Sequence, residues 1–232
     1  MVPRKLFYIP LGGVFFVLLF LLFTAVFLLL YVRVIGFAFQ NLGFSPVIVG
    51  ILLAVCLFGS YINIPVGTVK AKVPMVTVGY VRFFGVVYPI PMVGEGISET
   101  TIAVNLGGAI VPILVSLYLI WRVPTLFPFV LVAVALVSFL VHKVAKPTSG
   151  VGITTPAFLP PIFAALAAML FSGGHPYIVA YVSGTLGTLI GADLLNLKAI
   201  PSLGAPVASI GGAGTFDGIF LTGVLAVILA SL

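Results

Sequence analysis

Apolar positions in this chain fall into long runs, without the 3.6-residue stripes of surface helices or the strict alternation of half-buried strands. Residues 11–32 hold no charged side chain, and an uncharged apolar run of that length is read as a helix that crosses a bilayer. The pattern returns at 46–64, 101–121, 125–142, 155–172, 176–197 and 212–231, so the chain predicts about seven transmembrane helices in one integral domain, 1–232. Polar punctuation separates them at Gln40–Gly43, Lys143–Gly150 and Ser172–Pro176. Pro156, Pro160 and Pro161 interrupt the start of the fifth run, which a membrane helix tolerates where neighbours satisfy the freed backbone groups. The first run is too long for a signal-peptide core and lacks a small-residue cleavage pattern, so it is expected to be retained.

One stretch breaks the pattern. Between the second and third runs, in the loop 65–100, residues 73–93 are dense in β-branched and aromatic residues with Gly and Pro punctuation, and Arg82 sits among them. That composition predicts two short strands, a small cytoplasmic β-hairpin on the membrane face, instead of another span. Such a hairpin either offers an edge to an extended peptide or covers the helix ends.

Composition agrees with a membrane class: 62% of residues are hydrophobic and 6% charged, against roughly 45–50% apolar in soluble domains. The formal net charge of +6 needs no nucleic acid, because its basic residues are spread over separate loops. An N-terminus placed in the cytoplasm puts Arg4, Lys5, Lys70, Lys72, Arg82, Lys143, Lys146 and Lys198 inside, leaving Arg33 and Arg122 outside. The positive-inside rule therefore predicts a multi-pass cell-membrane protein with a cytoplasmic N-terminus and an outer C-terminus, and anionic lipid as a compatible contact. The single cysteine, Cys56, sits mid-run and reads as a small buried apolar residue.

Against this apolar background, carboxylates stand out. Asp193, in Gly191-Ala192-Asp193, and Asp217, between Gly212-Ala213-Gly214-Thr215-Phe216 and Gly218, are two of only four acidic residues and lie in or beside the last two runs. A carboxylate at a helix centre costs about 2.5–3.5 kcal/mol on insertion scales, which makes each a functional-site candidate. In the predicted topology both lie towards the cytoplasmic face, joined by the Pro- and Gly-rich stretch 198–206, expected to dip back as a re-entrant turn. Two close carboxyls share one proton, and such a pair activates water.

Over roughly residues 184–225 the chain resembles the GxGD intramembrane aspartyl proteases, presenilin, signal peptide peptidase and the prepilin peptidases. In presenilin and signal peptide peptidase one catalytic Asp lies in a span running inward and the other in the next span, after a Gly-x-Gly. The resemblance implies a catalytic pair Asp193 and Asp217, with a transmembrane peptide as substrate. Thr215 and Phe216 separate the Gly-x-Gly from Asp217, Ala192 stands where those families usually have Tyr, and Pro201-Ser202-Leu203 only echoes their Pro-Ala-Leu, ahead of the second Asp instead of after it. As a whole, the chain is similar to a family of uncharacterised prokaryotic membrane proteins, a domain of unknown function.

A weak internal repeat relates 58–65 to 190–196 and Asn105-Leu106-Gly107-Gly108-Ala109 to Ser209-Ile210-Gly211-Gly212-Ala213, which suits a 3+1+3 arrangement of parallel repeats. Gly191, Gly212, Gly214 and Gly218, with Asn63, Asn105 and Asn196 near helix ends, are the expected supporting residues; the asparagines either line the acid site or bond across helices. Two further readings stand beside the protease: a carrier or channel for a small solute, proton or cation, with the same acids as binding sites, and a non-catalytic scaffold. In structural terms alone, Asp193 would pair with Lys198 and Asp217 would cap the last helix. Glu99, after Ser98, is expected in the first turn of the third helix. His142 and His175 fall on opposite sides, which excludes a zinc site; no nucleotide-binding glycine pattern is present, and no cofactor is expected.

Overall fold

The structure, a computed structural model, describes residues 11–148, 152–203, 205–212 and 218–232. Its helices are α1 (Leu11–Asn41), α2 (Pro46–Gly59), α3 (Val111–Arg122), α4 (Phe127–Val144), α5 (Leu159–Leu170), α6 (Pro176–Thr188) and α7 (Gly218–Leu229). Each overlaps a predicted run, but not all are long. Among the described residues three stretches have the length and apolarity to cross a membrane, Gly13–Asn41, Pro124–Val144 and Pro176–Ile200, whereas Pro46–Gly59, Leu106–Arg122, Leu159–Leu170 and Gly218–Leu229 are shorter. At about 1.5 Å per residue, helices of 12 to 17 residues cover roughly 18–26 Å of a hydrocarbon core about 30 Å thick. The seven expected spans correspond, among the described residues, to three candidate spans and four shorter apolar helices.

Strands bound two of these shorter helices, α2 and α3. β1 (Asn63–Phe83) and β2 (Val86–Asn105) pair antiparallel from Asn63↔Asn105 to Phe83↔Val86. The hairpin expected at 73–93 therefore exists but reaches much farther, ending the second run early and claiming the first residues of the third. Phe84 and Gly85 form its two-residue turn with φ of 50° and 80°, positive angles that match the right-handed twist of the flanking strands. Large apolar side chains from Val78 to Val93 are exposed, including Tyr80, Phe83, Phe84 and Met92.

A third strand was not expected. β5 (Val207–Ile210) joins β2 in parallel, Thr101↔Val207 through Val104↔Ile210, giving the sheet order β1-β2-β5. The predicted re-entrant turn is replaced by a 3-10 helix, Leu194–Leu203, leading into β5. β3 (Lys146–Thr148) and β4 (Gly152–Thr154) form a separate small hairpin between α4 and α5.

The core sits around α6, whose Val179, Ala180, Tyr181 and Val182 are buried against the neighbouring helices. Small residues bring the backbones together: a Cβ on Gly184 would lie 3.3 Å from the Ala164 methyl on α5 and 3.4 Å from Ala226 on α7, the close approach that drives helix association in lipid. α1 differs. From Val14 to Val34 its large side chains are exposed except for the half-buried Leu19 and Tyr31, and only Ile35, Ala38 and Phe39 near its end are buried, Phe39 against Tyr181 and Phe220.

Candidate functional site

At the end of α6 the helix widens into a π-turn, Leu189–Asp193, then tightens into the 3-10 segment. Asp193 closes the π-turn and is half-buried. Gly191 serves packing: a Cβ there would lie 2.5 Å from the Ser138 carbonyl of α4. Asn196 is a cap. Its Nδ2 donates to the Gly191 and Ala192 carbonyls at 3.1 and 2.8 Å and approaches His142 Nδ1 at 3.3 Å, so it satisfies carbonyls that the helix end leaves unpaired and ties them to α4. Among the described residues no group of three or more His, Cys, Asp or Glu able to hold a metal occurs.

A second polar cluster lies where the three strands meet the glycine turns. Asn105, fully buried, donates through Nδ2 to the Ser60 carbonyl at 2.7 Å and to Asn63 Oδ1 at 3.0 Å, while its Oδ1 accepts from the Gly108 N–H at 2.8 Å. Ser209 Oγ donates to the same Asn63 oxygen. Asn63 and Asn105 thus bond across strands, not across helices, and Ser209 is a member that sequence reasoning missed as a site residue, although its alignment with Asn105 carried the signal. Both Gly-Gly-Ala segments follow strands that pair in parallel. A Cβ on Gly211, at φ 69°, would sit 2.6 Å from the Ala109 Cβ, so the two turns stack at backbone contact. The other repeated segment shows no such likeness, since α2 leads to a strand and α6 to a 3-10 helix.

Gly212 backs onto the Ser209 side chain, and Gly218 opens α7 with open space around it. Gly214 and Asp217 lie outside the described residues, so the meeting of Asp193 with Asp217 does too. Glu99 is corrected: it lies in β2 opposite Lys70 and pairs with it, both side chains exposed. The helix expected to start beside it does not form, because Thr100 Oγ1 donates to the Ala205 carbonyl at 2.8 Å and the Thr101 N–H to Pro206 at 2.9 Å, binding this segment to the approach of β5.

A family model described as a protein of unknown function, DUF1614, matches residues 57–229. The chain belongs to the DUF1614 family. The matched part of this DUF1614 chain runs from the end of α2 through α7, taking in the hairpin, both glycine turns, Asp193 and Asp217, and leaving α1 outside. The expectation of an uncharacterised family is met. No curated protein and no solved structure gives a match to the chain.

Proposed function

We propose that this DUF1614 protein is a membrane-embedded aspartyl peptidase in which Asp193 and Asp217 form the carboxylate pair. The observation that carries the reading is β5: it forms the free edge of the three-stranded sheet, and the chain passes from it through Gly211 and Gly212 towards Asp217. An extended peptide adding a strand to that edge gains main-chain hydrogen bonds, and unwinding a substrate helix into a strand exposes the amide to attack. Further support is connectivity. α6 and α7 pack side by side, Asp193 ends the segment that leaves α6, and Asp217 directly precedes Gly218, the first residue of α7.

In this mechanism one acid is ionised and takes a proton from water as it attacks the peptide carbonyl; the other, protonated, polarises that carbonyl and the proton passes to the leaving amine. Proteoliposomes carrying transmembrane peptides test it. Wild type cleaves, whereas Asp193→Asn and Asp217→Asn each fall by a hundredfold or more, the range of an essential acid or base. Cleavage by either variant at the wild-type rate removes that acid from catalysis. The protein is oriented with its N-terminus in the cytoplasm in this reading.

A transport function is favoured by a different observation, the two π-turns Leu106–Ile110 and Leu189–Asp193. Helices interrupted beside polar groups are how carriers build midplane sites. Solute or proton flux abolished by Asp193→Asn, with no proteolysis in any variant, would decide for that function.

A further inference from the structure

The hairpin leaves the bundle where α2 ends and α3 begins. At the opposite ends of these helices a cavity of about 350 Å³ opens, lined by Asn41, Gly43, Arg122, His175, Pro176 and Tyr177 among others, none of them acidic. α1 finishes here, α3 finishes here, and α6 starts here.

The cavity carries several donors. Arg122 Nη1 donates to the Leu42 carbonyl at 3.3 Å, which uses one of five guanidinium N–H groups. Asn41 Nδ2 is buried and has no hydrogen-bond partner. His175 is the N-cap residue of α6, yet its side chain makes no capping bond, so the first-turn N–H groups of Tyr177 and Ile178 keep their outward donors, Pro176 having none to offer. The guanidinium is seated over Gly43, at φ 84°, where a Cβ would lie 2.7 Å from Nη1. Donors from three helices converge on one cavity with no carboxylate among its described lining residues, an arrangement that binds oxyanions. Its surroundings indicate which anion. Tyr118 and Trp121, on the last turns of α3, are exposed, and Phe44, Tyr118 and Trp121 follow one another with ring centroids 5.7 and 6.2 Å apart; such aromatics sit at headgroup depth.

We infer that this cavity binds a phosphate group, presented by the headgroup of an anionic phospholipid. The full chain, purified in mild detergent, is offered phosphatidylglycerol or phosphatidylcholine and the retained lipid is read by native mass spectrometry. Wild type retains phosphatidylglycerol preferentially, and Arg122→Gln weakens retention about tenfold, the effect of losing a charge-assisted bond. Asn41→Asp, isosteric and adding a negative charge, weakens it as much, while His175→Gln at an exposed position gives a smaller loss and guards against misfolding as the explanation. Equal retention of both lipids by wild type, or undiminished retention of phosphatidylglycerol by Arg122→Gln and Asn41→Asp, overturns the site. A parallel titration with inorganic phosphate separates the sources: if millimolar phosphate raises the Tm of wild type but not of Arg122→Gln, and no lipid is retained, the headgroup assignment falls.

Discussion

Asn105 ties three elements together. It closes β1 to β2, accepts the Gly108 N–H of the π-turn and reaches back to the end of α2. Truncation to alanine strands the Gly108 N–H and the Ser60 carbonyl, and buried groups left unpaired cost about 1–3 kcal/mol each. Asn105→Ala is expected to lower unfolding stability by about 2–3 kcal/mol in detergent, followed by circular dichroism. Lys70→Ala, which removes an exposed ion pair, costs under about 1 kcal/mol; equal losses from the two would contradict this ranking. The sequence displayed the asparagines as rare polar groups near helix ends, but their partners were not legible. Asn63, Asn105 and Ser209 are far apart in the chain, and only the strand pairings bring them together. Asn196 was visible as a site candidate and proved to be a cap, because a side-chain amide four and five residues beyond helix carbonyls reaches them directly.

At the scale of elements, the helices were legible wherever a run was bounded by polar residues and the strands where turn residues marked them. The hairpin's tip showed through Arg82 and its glycines. Its legs did not, because Thr101-Ile102-Ala103-Val104 and Ile62-Asn63-Ile64 suit either a span or a ladder, and it is pairing that decides. β5 has four residues and a partner about a hundred positions away, so no local signal exists for it. The distal hairpin is exposed and its turn is self-contained, which leads to a separable prediction. Replacing residues 74–95 by Asn-Gly, which joins the paired positions Val73 and Gly96, should leave the Tm within a few degrees of wild type. A collapse in Tm would mean that the arm packs against the bundle.

At the scale of the whole molecule, the apolar surface of α1 and the exposed aliphatic side chains of α2, α3 and α4 suit a lipid surround. The β3–β4 hairpin and the α5–α6 connection flank α5 in the chain and so lie at its two ends. Single cysteines at Thr148 and Ser172, in a Cys56→Ala background, are therefore expected to react with an impermeant thiol reagent from opposite faces, Thr148→Cys from the cytoplasm. Labelling of both from one face would refute the crossing of α5, and reversal of both would refute the orientation.

The parallel seam between β2 and β5 also sets a schedule for biogenesis. Thr101 to Val104 leave the ribosome long before Val207 to Ile210, and at about 5–20 residues per second the wait is roughly 5–20 s. Throughout it, the outer edge of β2 presents unpaired amides and carbonyls beside a membrane, a template for any extended segment passing by. A nascent DUF1614 chain stalled before residue 207 is thus predisposed to aggregate through that edge, and its last strand acts as an internal chaperone whose late arrival ends the exposure.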